Sequence, residues 1–163
     1  MDSDNFRRKY FLIEGLIFVS RTECEVTTIL GSCVSVCLWD PILEIGGINH
    51  YLLSLWNGEG LPTPRYGNIA IPKLIKKMMS FGSEKKNLRA KIFGGARILS
   101  ISNNGVKGAG WSNIVIAEDI LKEEGVRIVA SDLGGNYGRK IKFNTKTGVV
   151  MLKRLTTQIG NVQ

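Results

Sequence analysis

The chain has 163 residues, 44% of them hydrophobic and 22% charged, the proportions of a folded globular chain, which excludes wholesale disorder. That length suits a single domain spanning 1–163, able to bury about 70% of its unfolded surface without disulfide or metal staples. Lys and Arg outnumber Asp and Glu by 22 to 14, a net +8 that points to an acidic partner, and a single histidine, His50, confines any imidazole chemistry to one position.

In chain order, the first half reads as β-structure. Leu16 to Ser20, Glu25 to Leu30, Val34 to Trp39 and Ile45 to Leu53 are short β-branched or aromatic runs separated by turn signals. Asp40-Pro41 closes the third, because a residue before proline is biased away from helix. A helix is expected over about Ile69 to Phe81, capped by Asn68, with Pro72 in its first turn and Leu74, Ile75, Met78 and Met79 at helical spacing. Ala90 to Phe93 is a short strand ending at Gly94-Gly95. A second helix is expected over about Ile114 to Glu124, capped by Ser112 or Asn113 and stopped by Gly125. Its buried stripe would be Ile114, Ala117, Ile120 and Leu121. Val126 to Ala130, Lys140 to Phe143 and Val149 to Leu155 read as three more strands. Many strands and two main helices out of strict alternation imply a layered α+β fold with a mixed sheet. The core would span about 12–155, with the polar stretch 156–163 a frayed tail.

The N-terminus has acids before bases, and the apolar stretch after it is interrupted by Glu14, so it does not read as a secretory signal. No stretch approaches the roughly 18 to 20 apolar residues of a membrane span. The expectation is a cytoplasmic protein without membrane insertion, whose three cysteines, Cys24, Cys33 and Cys37, remain thiols.

Chemistry concentrates between Thr27 and His50. Cys33 follows the flexible Gly31-Ser32 turn and opens a strand, so its thiol can be exposed while neighbouring backbone N–H groups serve an oxyanion. His50 falls in the next strand, and adjacent strands lie about 4.8 Å apart. An imidazole in reach of a thiol can generate a thiolate nucleophile. The alternative is plain core filling, the commoner fate of a cysteine in an apolar strand. For Cys24 and Cys37 that reading prevails; for Cys33 both stay open. Zinc is disfavoured by spacing, since Cys33 and Cys37 on one strand would stand roughly 13 Å apart. The segment Gly105 to Gly110 has neither dinucleotide nor P-loop spacing. Lys and Arg are scattered in twos and threes with no nucleic-acid-binding module, so no nucleic-acid partner is expected.

Leu30-Gly-Ser-Cys33-Val-Ser-Val, then Asp40-Pro41, Gly46-Gly47 and Asn49-His50-Tyr-Leu, resemble the chemoreceptor glutamine deamidase family, CheD. Lys91-Ile-Phe-Gly-Gly-Ala96, the glycine-rich segment ending at Asn113, and Asp132-Leu-Gly-Gly-Asn-Tyr-Gly-Arg139 follow in the family's order. The resemblance covers roughly 12–153. It implies a mixed β-sandwich flanked by helices, similar to the catalytic domains of glutamine-deamidating toxins. It also implies Cys33 as nucleophile, His50 as general base and acid, and Thr27, six residues before the cysteine, as the residue orienting His50. Backbone N–H groups at Ser32 and Cys33 would hold the oxyanion, and no metal or organic cofactor is required. The implied reaction is hydrolysis of glutamine side chains of methyl-accepting chemotaxis receptors to glutamate and ammonia through a cysteine thioester. A CheC-type phosphatase is the second implied partner. The alternative within this resemblance is a binding regulator of that phosphatase with weak or no deamidase activity. Ser54, Asn68, Ser112 and Leu133 depart from the family's usual residues, and none of them supplies a catalytic atom.

Overall fold

A computed structural model of the chain describes residues 8–97 and 108–155. Among the described residues, nine strands form two mixed sheets and two α-helices pack together on one face of the five-stranded sheet, the layered α+β architecture expected. The strands are β1 (Arg8–Phe11), β2 (Ile17–Ser20), β3 (Cys24–Leu30), β4 (Val34–Asp40), β5 (Ile45–Asn49), β6 (Arg89–Gly94), β7 (Arg127–Leu133), β8 (Arg139–Asn144) and β9 (Val150–Arg154). The helices are α1 (Gly67–Ser80) and α2 (Ala109–Glu123), with a short 3₁₀ turn at Lys85–Asn87. One sheet has the order β1-β3-β8-β9, the other β2-β5-β4-β6-β7.

Side-chain alternation explains the layering. On β4, Val34, Val36 and Leu38 point to one face of the five-stranded sheet and join a core with Leu74, Met78, Ala117 and Leu121 of the helices. Cys37 points the other way, into a second core with Val26 and Leu30 of β3, Ile48 of β5, Phe93 of β6 and Ile141 and Phe143 of β8. Because both faces of β4 are covered, it reads as an almost unbroken apolar run. The Gly46-Gly47 pair on β5 is a close-approach device. A Cβ on Gly46 would lie 2.7 Å from the Thr145 carbonyl oxygen, and one on Gly47 would lie 2.9 Å from a Leu74 methyl.

Several expected boundaries moved. β1 is an edge strand with all four residues exposed; its Arg-Lys-Tyr-Phe sequence carries no alternation to betray it. Asn68 lies inside α1, whose N-cap is Tyr66; its carboxamide oxygen instead accepts from the Trp56 amide. Met79 is 45% exposed rather than on the buried stripe. Helix α2 starts five residues earlier than expected, with Gly108 as N-cap, so that Asn113 is an interior, buried residue. Glycine at position 110 argues against helix by propensity, yet a Cβ there would strike the backbone oxygens of Gly95 and Ala96. The stop at Gly125 is as expected, with φ +71°. The frayed tail expected at 156–163 and the start of the glycine-rich segment, 101–107, lie outside the described residues. No described helix is long and apolar enough to cross a membrane.

Candidate active site

Cys33 and His50 come together because they flank the paired strands β4 and β5. Cys33 immediately precedes β4, and β5 ends at Asn49, so His50 lies just past the strand rather than inside it as expected. Beyond the β4–β5 ladder, Val34 and Tyr51 form an isolated bridge, with Val34 N–H to Tyr51 O at 3.2 Å and Tyr51 N–H to Val34 O at 3.1 Å. Cys33 and His50 each immediately precede a member of that bridge. An oxygen of the Glu14 carboxylate, the Cys33 Sγ and a ring nitrogen of His50 all lie within 4.8 Å of one another. His50 is 5% exposed; Cys33 is half-buried and lines a cleft of about 300 Å³ with Ser32, Leu52, Leu53, Arg65, Tyr66 and Ala109.

The turn carrying Cys33 is held by its carbonyls. Gly31 O accepts from Ala96 N–H and Cys33 O from Gly95 N–H, both at 2.9 Å, while Ser32 O accepts from the Asn113 carboxamide at 3.0 Å. Among the described residues no carbonyl accepts from the Ser32 or Cys33 amide. Gly94 permits this close approach. Its φ is +112°, and a Cβ would strike the Cys33 carbonyl oxygen, so any other residue is both strained and obstructed.

His50 is oriented by a threonine, and the geometry selects Thr28. Its Oγ1 lies 2.7 Å from His50 Nδ1 and donates to the Leu12 carbonyl at 2.8 Å. A hydroxyl has one proton to give. Since that proton goes to Leu12, the oxygen must accept from Nδ1–H, which leaves the lone pair on Nε2. Nε2 is buried and has no partner among the described residues. Thr27, the threonine implied by the resemblance, lies on the opposite face of β3, registered with Lys142 of β8 and half-buried. Strand parity carries the signal that distinguishes the two, because residues 24, 26, 28 and 30 are the buried ones.

Burial dominates the electrostatics. It pushes the Cys33 thiol up to about 11, and the Glu14 carboxylate adds to the rise. Burial also pulls His50 down to about 4, against a smaller upward influence of Glu14. Near pH 7 the resting pair is therefore a neutral thiol beside a neutral imidazole. Cys24 and Cys37 are buried in the sandwich core, where burial raises both thiols, as befits inert core residues.

Two further residues bear on the site. Asn113 donates through its carboxamide nitrogen to Ser32 O and, at 2.9 Å, to Leu52 O. It thereby ties the cysteine turn to the segment just after His50, and its main-chain carbonyl accepts from the Tyr51 hydroxyl. Glu14 sits between two anchored neighbours: Leu12 N–H donates to Thr27 O at 2.9 Å, and Gly15 N–H to His50 O at 2.7 Å. In the sequence Asn113 looked like a helix cap, and Glu14 only interrupted an apolar run.

Fold and site together define a layered α+β protein with a thiol–imidazole pair at the edge of a cleft. The family model described as CheD chemotactic sensory transduction matches residues 56–154, a span C-terminal to both Cys33 and His50. A relative from Trichlorobacter lovleyi is 52% identical over 147 residues, 90% of this chain and 91% of the relative. One from Sulfurimonas denitrificans is 47% identical over 145 residues, covering 89% and 93%. One from Halorhodospira halophila is 38% identical over 152 residues, covering 88% and 68%. All three are named probable chemoreceptor glutamine deamidase CheD. The chain belongs to the CheD family.

Proposed function

We propose that this protein is a cytoplasmic deamidase that hydrolyses glutamine side chains of methyl-accepting chemotaxis receptors to glutamate. The observation that carries the reading is the placement of His50, with Nδ1–H held by Thr28, the Nε2 lone pair left without a partner, and a ring nitrogen within 4.8 Å of the Cys33 Sγ.

The reaction begins from the neutral pair. Cys33 passes its proton to His50 Nε2 as sulfur attacks the glutamine carboxamide carbon, and the amides of Ser32 and Cys33 receive the developing oxyanion. The imidazolium then gives that proton to the leaving nitrogen, ammonia departs, and a thioester remains on Cys33. His50 Nε2 next removes a proton from water, which attacks the thioester and releases glutamate, and the thiol recovers its proton. Thr28 takes the orienting role that the resemblance gave to Thr27. A threonine hydroxyl stabilises the imidazolium less than a carboxylate would, in keeping with the neutral resting state.

The net charge of +8 steers the enzyme toward acidic helical receptor surfaces, and a CheC-type phosphatase is the proposed second partner. The test is mass spectrometry of receptor cytoplasmic fragments incubated with the protein. Conversion of specific glutamines to glutamates supports the reading. Unmodified receptor with intact binding to the phosphatase would instead support the purely regulatory role.

A further inference from the structure

We propose that Glu14, Cys33 and His50 form a zinc-binding site, occupation of which reversibly silences the enzyme. The inhibitory consequence rests on the deamidase reading; the binding itself does not.

Three donors of three kinds converge here, a carboxylate oxygen, a thiol sulfur and an imidazole nitrogen, mutually within 4.8 Å. Zinc bonds to such donors measure about 2.0–2.3 Å, so tetrahedral ligands stand about 3.3–3.8 Å apart. Glu14 is exposed and Cys33 half-buried, so rotation of these two side chains can bring the donors to that spacing around the more deeply buried imidazole.

The second observation is the state of His50. Its Nε2 is buried and without a hydrogen-bond partner in a residue only 5% exposed, and the Thr28 bond leaves the lone pair on that nitrogen. A metal-ligating imidazole shows the same arrangement, one nitrogen donating to an oxygen partner and the other free for the ion. The donor set fits zinc, which accepts sulfur, nitrogen and oxygen, rather than calcium or magnesium, which demand oxygen ligands. Three protein ligands leave a fourth position for water from the adjoining cleft, as in open rather than structural zinc sites.

Cysteine spacing could not reveal this site, because the third donor is a glutamate far from Cys33 in sequence. The segment between β1 and β2 brings it there, pinned by Leu12 and Gly15. On binding, a zinc–sulfur bond forms, the thiol proton passes to solvent and no electrons are exchanged. The ion occupies both the nucleophile and the base, so the metal-bound enzyme is inactive until a chelator removes the metal.

The test uses the full chain freed of metal. Cd²⁺ is titrated while the ultraviolet thiolate-to-metal charge-transfer band is followed, and Zn²⁺ affinity is measured by competition with a chromophoric chelator. The expected results are one ion per chain and a band abolished in Cys33→Ala. Glu14→Gln and His50→Gln each remove a direct ligand and should weaken zinc binding by at least the roughly 10- to 100-fold that loss of an outer-shell partner costs. The proposal is overturned if the wild-type protein gives no band, if the band survives in Cys33→Ala, or if Glu14→Gln binds zinc as tightly as wild type. Metal binding as expected in a protein that deamidates no receptor when metal-free would leave the site standing and overturn the deamidase reading instead.

Discussion

Thr28→Val keeps the shape of the side chain and removes only its hydroxyl, and so isolates the role of that hydroxyl. Thr28 is fully buried, and its oxygen serves two groups at once, the Leu12 carbonyl at 2.8 Å and His50 Nδ1 at 2.7 Å. The valine variant leaves both without their partner in a dry setting. Each unmet buried group costs about 1–3 kcal/mol, so for the two together a total loss of about 2–6 kcal/mol is expected in urea denaturation. Activity should fall further than stability explains. Without the anchor the imidazole can rotate or exchange tautomers, and misplacement of a catalytic group by about 1 Å lowers rates on the order of 100-fold. Thr28→Ser should restore most of both. Thr27→Val, on the other face of β3, should change stability by less than about 0.5 kcal/mol and leave deamidation of a receptor fragment near wild type. Loss of activity in Thr27→Val with a normal Thr28→Val enzyme would refute the assignment.

Three other outcomes follow from the same geometry. His50 is held neutral with its pKa lowered to about 4, whereas in the unfolded chain it titrates near 6.5. Acid therefore favours the unfolded state, and stability should drop by about 3 kcal/mol as pH falls from about 6.5 to 4. His50→Gln should lack this component, and identical pH slopes for the two proteins in urea titrations would contradict it. Asn113→Ala removes both carboxamide bonds that hold Ser32 and Leu52. It should destabilise by about 1–3 kcal/mol and lower kcat more than it raises KM, whereas a pure KM effect would argue against a positioning role. Gly94→Ala combines a strained φ with collision at the Cys33 carbonyl. It should destabilise by about 1–3 kcal/mol or more, and calorimetry showing an unchanged Tm would refute the close-approach argument.

The sequence exposes the features that repeat with the period of secondary structure. Strands β2 to β9 and both helices show themselves by β-branched and apolar runs, helical spacing and punctuation at Asp40-Pro41 and Gly125. The resemblance supplies Cys33 and His50, and the paired glycines at 46–47 correctly signal close backbone approach. What escapes the sequence depends on tertiary contact. β1 is an exposed edge strand without hydrophobic alternation. The early start of α2 reflects packing of Gly110 on Gly95 and Ala96, which outweighs glycine's poor helix propensity. Glu14 and Asn113 reach the site from segments remote in sequence, and no local pattern marks a residue whose partners lie elsewhere. Thr28 is the instructive case. The resemblance implies position 27, whereas Cys24, Val26, Thr28 and Leu30 share the buried face of β3, and only the tertiary fold brings that face to the histidine.

The central claim is that the Cys33 sulfur performs the chemistry, and its most direct test is receptor deamidation by Cys33→Ala. Circular dichroism and urea denaturation should show the variant folded as wild type, and mass spectrometry should find every receptor glutamine unconverted. A folded Cys33→Ala protein that still converts receptor glutamines to glutamates would contradict the account.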